Sequence, residues 1–451
     1  MKKYRFLSCL LVVPILLGLL ALPTAALEDP ELQCRNAILI DANFDEILYA
    51  KDAYDKAYPA SITKVMTALL VLEAIDAGQL TRSTPITASE TALAGMPRYS
   101  STANIKVGEI MSVEELLYCL LLPSANEAGN VLAEAIDKDL ATFAERMTRR
   151  AAELGCQNTN FVNAHGLHND QHYTTAYDIT LFMQAALEYD LFRQIINTPS
   201  HTIPATNLSS ERLFYNTNGL ISNLYYYGYV YGKCIGGKTG STDEAGKCLV
   251  SVAEDGDRLL ISVILGSSVI TLPDGNQKQG QLTESIKLFK HGFDNFERVT
   301  ITQADQPVDK VSVTLSRQAD EVMVKPQGSI VRTLPKDLDL NLIETQITLF
   351  SPEVAAPVEA GQVLGSMTLS YEGEVYGTLD LVAVTSVERS ELLYKKAQFI
   401  AFFQNSGIQI LLVIVLLLAT GVILKLFVFR KRRYSRKKKT VGGGYRGGTR
   451  R

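Results

Sequence analysis

Acidic side chains are missing from both ends of this 451-residue chain, histidine is scarce at five, and cysteine never occurs as C-x-x-C. Residues 1–26 hold three basic side chains, Lys2, Lys3 and Arg5, and residues 425–451 hold twelve, with no acid in either segment. The remainder carries 29 basic against 48 acidic residues, a charge of −19 that the overall −4 conceals. An acidic body repels phosphates, which argues against nucleic acid as its partner. The lack of C-x-x-C excludes a zinc ribbon. Beyond Cys9 five cysteines remain, Cys34, Cys119, Cys156, Cys234 and Cys248, an odd number that leaves at least one thiol free. Cys119, in an apolar helical run, reads as a buried thiol, and Cys234 and Cys248 as neighbours across a hairpin. His165, His168 and His172 lie in a polar loop and are not taken as metal ligands, so neither a metal nor a cofactor is expected. No repeat of 20–50 residues is present.

What is there begins with the ends. Phe6–Leu22 is apolar apart from Ser8 and Gly18, follows the basic residues and precedes Thr24-Ala25-Ala26, the layout of a signal peptide over 1–26. Ile408–Phe429 is apolar except for Gln409, Thr420 and Lys425, and about 20 such residues cross a bilayer. Lys425 near one end snorkels to the interface, and the basic tail 430–451 is placed in the cytoplasm by the positive-inside rule. The expected arrangement is an exported body held at its C-terminus by membrane lipid.

Within the body, strands are read at Asn36–Ile40, Glu46–Tyr49, Cys248–Ala253 and Leu259–Leu265. Helices are read from Ala60 to about Ala77, at Val113–Leu122, from Asn126, at Tyr177–Leu187 and at Glu284–Phe296. Strands at both ends of a helical stretch predict an α/β (α+β) domain over 34–300, an antiparallel sheet with helices on its faces. Short alternating strands punctuated by Pro326, Pro335, Pro352 and Pro357 predict a small all-β domain over 301–390, with Glu372-Gly373 as a hairpin turn. A linker helix over 391–407 then leads into the transmembrane helix.

Three motifs carry chemistry. Ser61-Ile62-Thr63-Lys64 places Ser61 and Lys64 on one helix face. A serine hydroxyl needs a base to become a nucleophile, and an amine serves only when uncharged. The helix around Lys64 is apolar nearly all round, and burial lowers a lysine pKa. The spacing alone is weak, since Ser435-Arg436-Lys437-Lys438 repeats it, and a helix cap with a snorkelling lysine explains it equally well. Ser124-Ala125-Asn126 is the only S-x-N and follows an apolar helix, and its plain alternative is a helix N-cap made by Ser124 or Asn126. Lys238-Thr239-Gly240 is the only K-T-G and falls on a strand. There Lys238 and Thr239 suit a substrate carboxylate, and Gly240 leaves room for a substrate backbone. The ordered set of three is far more specific than any member.

With its flanks, Pro59-Ala60-Ser61-Ile62-Thr63-Lys64-Val65-Met66-Thr67, Leu121-Leu122-Pro123-Ser124-Ala125-Asn126-Glu127-Ala128 and Gly236–Gly246, the chain resembles the low-molecular-weight penicillin-binding proteins, the serine D-alanyl-D-alanine carboxypeptidases of peptidase S11 type. The resemblance spans about residues 34–390. It implies a β-lactamase/transpeptidase-like domain that removes the terminal D-Ala from peptidoglycan stem peptides ending in D-Ala-D-Ala and so limits crosslinking. It implies Ser61 as nucleophile, Lys64 as general base, Ser124 as proton relay and Asn126 as holder of the substrate amide. Lys238 and Thr239 would recognise the carboxylate, with N–H groups of Ser61 and Ser241 as oxyanion hole. Arg258 is a further carboxylate ligand by the same resemblance, and β-lactam antibiotics should acylate Ser61. Ala125 stands where the family more usually has glycine, and the anchor is fully transmembrane rather than amphipathic.

Rival readings remain open. A serine β-lactamase shares the acyl-enzyme, but no E-x-x-L-N segment occurs between residues 127 and 237 to activate its deacylating water. A D,D-endopeptidase is chemically adjacent. A non-enzymatic wall-binding protein would not need all of Ser61, Lys64, Ser124, Asn126 and Lys238.

Overall fold

The structure, a computed structural model, describes residues 27–271, 275 and 277–439, with side chains to residue 430. The expected signal peptide lies outside these residues, as does the end of the basic tail. The chain divides into two compact units, Met1–Val299 with Arg332–Leu338, and Thr300–Val331 with Asp339–Arg451.

The first unit is built on a five-stranded antiparallel sheet in the order Glu46–Lys51, Asn36–Asp41, Arg258–Ser267, Gly246–Asp255, Cys234–Thr242. Successive strand side chains point to opposite faces, and here both faces are covered. Ala37, Leu39, Leu249, Leu260 and Ile264 pack with Leu282, Leu288, Phe289 and Phe293 of the helix Gly280–Asn295. The alternate residues Ile38, Ile40, Val250, Val252, Ile261 and Val263 join a larger core with the helices Thr63–Asp76, Val113–Leu121, Asn126–Asp137 and Ala176–Leu187. That is why these strands read as nearly continuous apolar runs. The register pairs Cys234 with Ala253 and Gly240 with Cys248, so Cys234 and Cys248 do not face each other, contrary to the expectation from sequence. All five described cysteines are free thiols.

The segment carrying Ser61 also differs in detail from the expected helix. Ala60–Ile62 forms a 3₁₀ turn, and the α-helix proper starts at Thr63. Ala60 has a positive φ of 45°, a left-handed conformation costly for a residue with a Cβ. In a 3₁₀ turn residues i and i+3 eclipse, so Ser61 still faces Lys64. The helix Thr63–Asp76 runs through the middle of the domain, and Thr63 to Leu72 are all buried.

The second unit contains a six-stranded sheet in the order Glu344–Leu349, Val363–Tyr371, Glu374–Ala383, Glu321–Pro326, Asp309–Thr314, Glu353–Ala355. Its core gathers Val311, Val313, Val322, Val324, Met367 and Leu381, the inward set of alternating strands. Glu372 and Gly373, with φ of 50° and 85°, make the two-residue turn between Tyr371 and Glu374. The helix Glu391–Gln404 ends at Asn405, whose ψ of 123° breaks the run before Ser406–Lys439 begins. Within the latter, Ser406–Arg430 is long and apolar enough to span a membrane. Its 25 residues reach about 37 Å at 1.5 Å per residue, against roughly 30 Å of hydrocarbon.

Candidate active site

The edge strand Cys234–Thr242, the nucleophile turn and the loop before the helix Asn126–Asp137 meet in one cleft. Ser61, Ser124, Thr239, Gly240 and Ser241 line it, together with Ser101, Thr217, Tyr225, Tyr226, Lys247 and Gln281. Lys64 stands under Ser61 with none of its surface exposed. Its Nζ is 3.0 Å from Ser61 Oγ, 2.8 Å from Asn126 Oδ1 and 2.6 Å from the carbonyl oxygen of His165. Burial, reinforced by the charge of Lys238, holds its pKa well below the ordinary lysine value, against an opposing pull from Glu127. An uncharged amine has two N–H groups and one lone pair. With the N–H groups on Asn126 and His165, the lone pair is left for the hydroxyl proton of Ser61.

Ser124 adopts a left-handed φ of 65°, a strain that persists where the surroundings impose it. The backbone of Ala125 is the cap of the following helix, and no side chain caps it, so neither Ser124 nor Asn126 is spent on capping. Ser124 Oγ is buried without a partner. Asn126 N–H donates to the Ser101 carbonyl, 2.9 Å, which ties the Ser101 segment to this wall. Glu127, buried, accepts from Thr102 Oγ1 and Ala103 N–H at 2.6 and 2.7 Å and fixes that segment.

On the opposite wall Lys238 is 1% exposed, donates to the Thr239 carbonyl at 2.9 Å, and is lowered by burial to about 7. Thr239 Oγ1 lies 2.6 Å from Thr217 Oγ1. Lys247 donates to Ser241 Oγ at 3.1 Å and adds a second cation at the rim. Two sequence readings need correction here. Gly240 lines the cleft, but a Cβ there would lie 2.8 Å from Pro59 O and 3.2 Å from Ser61 N. Its missing side chain therefore makes room for the nucleophile turn rather than for a substrate backbone. Arg258 does not reach the cleft at all. Its guanidinium donates to the carbonyls of Gly292, Phe293 and Phe296 at 2.7, 3.5 and 3.0 Å, satisfying the C-terminus of the helix Gly280–Asn295. It opens its strand at the hairpin pair Asp255–Arg258, away from the Lys238–Val250 pair.

The histidines act as structure. Gly166, at φ 87°, would place a Cβ 1.9 Å from Ala60 O, so the loop carrying His165 wedges against the nucleophile turn. His172 Nδ1 accepts from Val162 N–H, which leaves Nε2–H to donate to Thr63 Oγ1 at 2.7 Å, while Thr63 donates to Ala60 O. Burial lowers His165 to about 3 and His172 to about 4, so both are neutral supports. Sequence reasoning missed Thr217, Lys247, Gln281, Ser101 and the tyrosines. None belongs to a motif, and only the fold brings them to the cleft.

Comparison with known proteins places the chain in a family. The D-alanyl-D-alanine carboxypeptidase family, peptidase S11, matches residues 23–269, and the C-terminal domain of penicillin-binding protein 5 matches residues 296–389. The D-alanyl-D-alanine carboxypeptidase DacF of Bacillus subtilis is 31% identical over 374 residues, covering 83% of this chain and 89% of its own length. DacC of Escherichia coli is 29% identical, covering 80% and 86%. The crystal structure of penicillin-binding protein 5 from Haemophilus influenzae superposes with a TM-score of 0.62 at 26% identity, over 81% of this chain and all of that one.

Proposed function

Because this chain belongs to the peptidase S11 family of D-alanyl-D-alanine carboxypeptidases and has their penicillin-binding fold, we propose that Ser61 is the nucleophile with which it removes the terminal D-Ala of peptidoglycan stem peptides. The observation that carries the reading is the buried Lys64 amine, 3.0 Å from Ser61 Oγ and anchored by Asn126 and His165.

Lys64, uncharged, takes the hydroxyl proton as Ser61 Oγ attacks the carbonyl of the penultimate D-Ala. The N–H groups of Ser61 and Ser241 hold the oxyanion. The strand Cys234–Thr242 ends the sheet, and its free edge offers backbone groups to an extended substrate. The unpartnered Ser124 Oγ hands a proton to the departing amine, and Lys64, having taken one, restores it. Asn126 orients the substrate amide, and Thr239 with a protonated Lys238 meets the terminal carboxylate. Water then enters, loses a proton to Lys64 and attacks the acyl carbon, and Lys64 passes that proton to Ser61 Oγ as the acyl group departs. A penicillin acylates the same oxygen by the same route.

The body is exported by the 1–26 segment and tethered through Ser406–Arg430, with the basic tail in the cytoplasm, so the cleft faces the wall and trimming limits crosslinking. The test is release of D-Ala from diacetyl-Lys-D-Ala-D-Ala by the full chain in detergent micelles. Ser61→Ala should lose both this release and covalent labelling by a fluorescent penicillin. Equal labelling of the two proteins would reject the nucleophile, and fast penicillin turnover without D-Ala release would put a β-lactamase in its place.

A further inference from the structure

With Arg258 committed to a helix end, the leaving-group carboxylate lacks the second ligand the sequence suggested, and the cleft contains another. Gln281 lines it together with Thr217, Thr239 and Tyr226. Gln281 is 3% exposed, its Oε1 has no hydrogen-bond partner, and its Nε2 reaches only Gln279 Oε1 at 3.5 Å. A buried amide left unpaired is costly, and such a group is kept where a ligand completes it. An independent feature points the same way. Gln281 is the second residue of the 16-residue helix Gly280–Asn295, whose N-cap, Gln279, makes no side-chain cap. Gly280 N–H already donates to the Ser268 carbonyl at 3.1 Å, and the remaining N–H groups of the first turn carry the partial positive charge that favours an anion.

The placement fits one end of the substrate. Thr217 touches Thr239, so the cleft around this pair is where the terminal carboxylate arrives. Two residues on, a Cβ at Gly219 would meet Leu282 Cδ1 and Tyr226 Cβ, each at 3.0 Å. Tyr229 Oη accepts from Gln279 N–H at 2.9 Å. The tyrosine-rich segment is thus fastened to the helix start and bounds the cleft next to Gln281.

We propose that Gln281 and the N-terminus of its helix form the subsite for the carboxylate of the leaving D-Ala. A half-turn of the terminal amides of both Gln281 and Gln279 keeps their mutual contact with the donor reversed and presents Gln281 Nε2 where Oε1 stands, from which it donates to the carboxylate. The inference rests on the cleft assignment under Proposed function. It makes Gln281 a residue that distinguishes a leaving group with a free carboxylate from one without.

The test compares the full chain in detergent with Gln281→Leu and Gln281→Glu on two substrates. Diacetyl-Lys-D-Ala-D-Ala loses a carboxylate-bearing amine. Diacetyl-Lys-D-Ala methyl ester forms the same acyl-enzyme but releases methanol. Gln281→Leu should lower kcat/KM for the peptide about tenfold or more, as loss of a hydrogen bond to a charged group does. Gln281→Glu, of nearly the same size, should lower it further by like-charge repulsion. Ester hydrolysis should stay within about threefold in both, since it never uses the subsite. Equal losses on the two substrates, or no loss on the peptide, would overturn the subsite. Ser61→Ala run alongside separates the two failures. Activity in that variant sinks the catalytic reading, whereas an inert Ser61→Ala with undiscriminating Gln281 variants sinks this inference alone.

Discussion

Lys64 and Lys238 are both buried beside one cleft, yet the proposed mechanism needs them in opposite charge states. In it Lys64 is neutral to accept a proton, and Lys238 is charged to attract a carboxylate. Burial lowers both: Lys64 well below the ordinary lysine value, with the charge of Lys238 acting in the same direction, and Lys238 to about 7. The pH dependence of kcat/KM reports groups of the free enzyme. It should therefore rise on the acid side as Lys64 loses its proton and fall as pH passes about 7, where Lys238 loses its own. Lys238→Arg stays charged at all these pH values, so the alkaline fall should vanish and the acid limb remain. An unchanged alkaline limb would assign it to another group. His165 and His172 make a second pH prediction. Their folded values of about 3 and 4 lie below the ordinary 6.5, so the unfolded chain binds protons that the native state excludes. Stability should fall as pH drops from 6.5 towards 4, by up to about 1.4 kcal/mol per pH unit for each histidine. His172→Gln should flatten the curve of melting temperature against pH. At this scale the sequence announced Ser61, Lys64, Ser124, Asn126, Lys238 and Thr239, because each sits in a motif. It misdirected at Arg258, because a position near a strand start says nothing about which end of the sheet that start occupies.

Among the elements, the wedge at Gly166 controls the nucleophile turn. Gly166→Ala combines a left-handed φ of 87° with a Cβ 1.9 Å from a backbone oxygen, neither of which a rotamer change relieves. The expected cost is about 3 kcal/mol or more, with slower penicillin acylation, because His165 O would shift from Lys64. Thermal melting and the acylation rate check both, and parental values for both would remove the wedge from the account. The apolar helices and buried strands were legible from periodicity to within a few residues. The helix Leu140–Glu153 was not read, since its exposed face is rich in charge and only Phe143, Ala144, Met147 and Ala151 are buried. The antiparallel strand pairs Pro85–Thr87 with Ile110–Ser112 and Ser200–Ile203 with Arg212–Tyr215 are not legible in the sequence either. Strands of three or four residues are too short to display a period.

For the whole molecule, the membrane helix is separable from the chemistry. Its residues 410–418 are exposed on every side, as a span surrounded by lipid requires. A chain ending at Gln404 should partition into the aqueous phase on detergent phase separation, while the full chain follows the detergent. A truncated protein that stays with detergent would show that another surface, such as the exposed Phe399 and Phe402 of the preceding helix, holds the membrane.

The sequence alone determined the motifs and the order of the parts: a lysine three residues from a serine, two partner motifs, an acidic body, and apolar segments bounded by basic flanks. These depend on local spacing and composition, which survive without coordinates. Tertiary structure decided which distant side chains share a cleft, among them Gln281, Thr217 and Lys247, and which do not, as with Arg258. Burial and proximity in space set those outcomes, and neither is carried by positions along a chain.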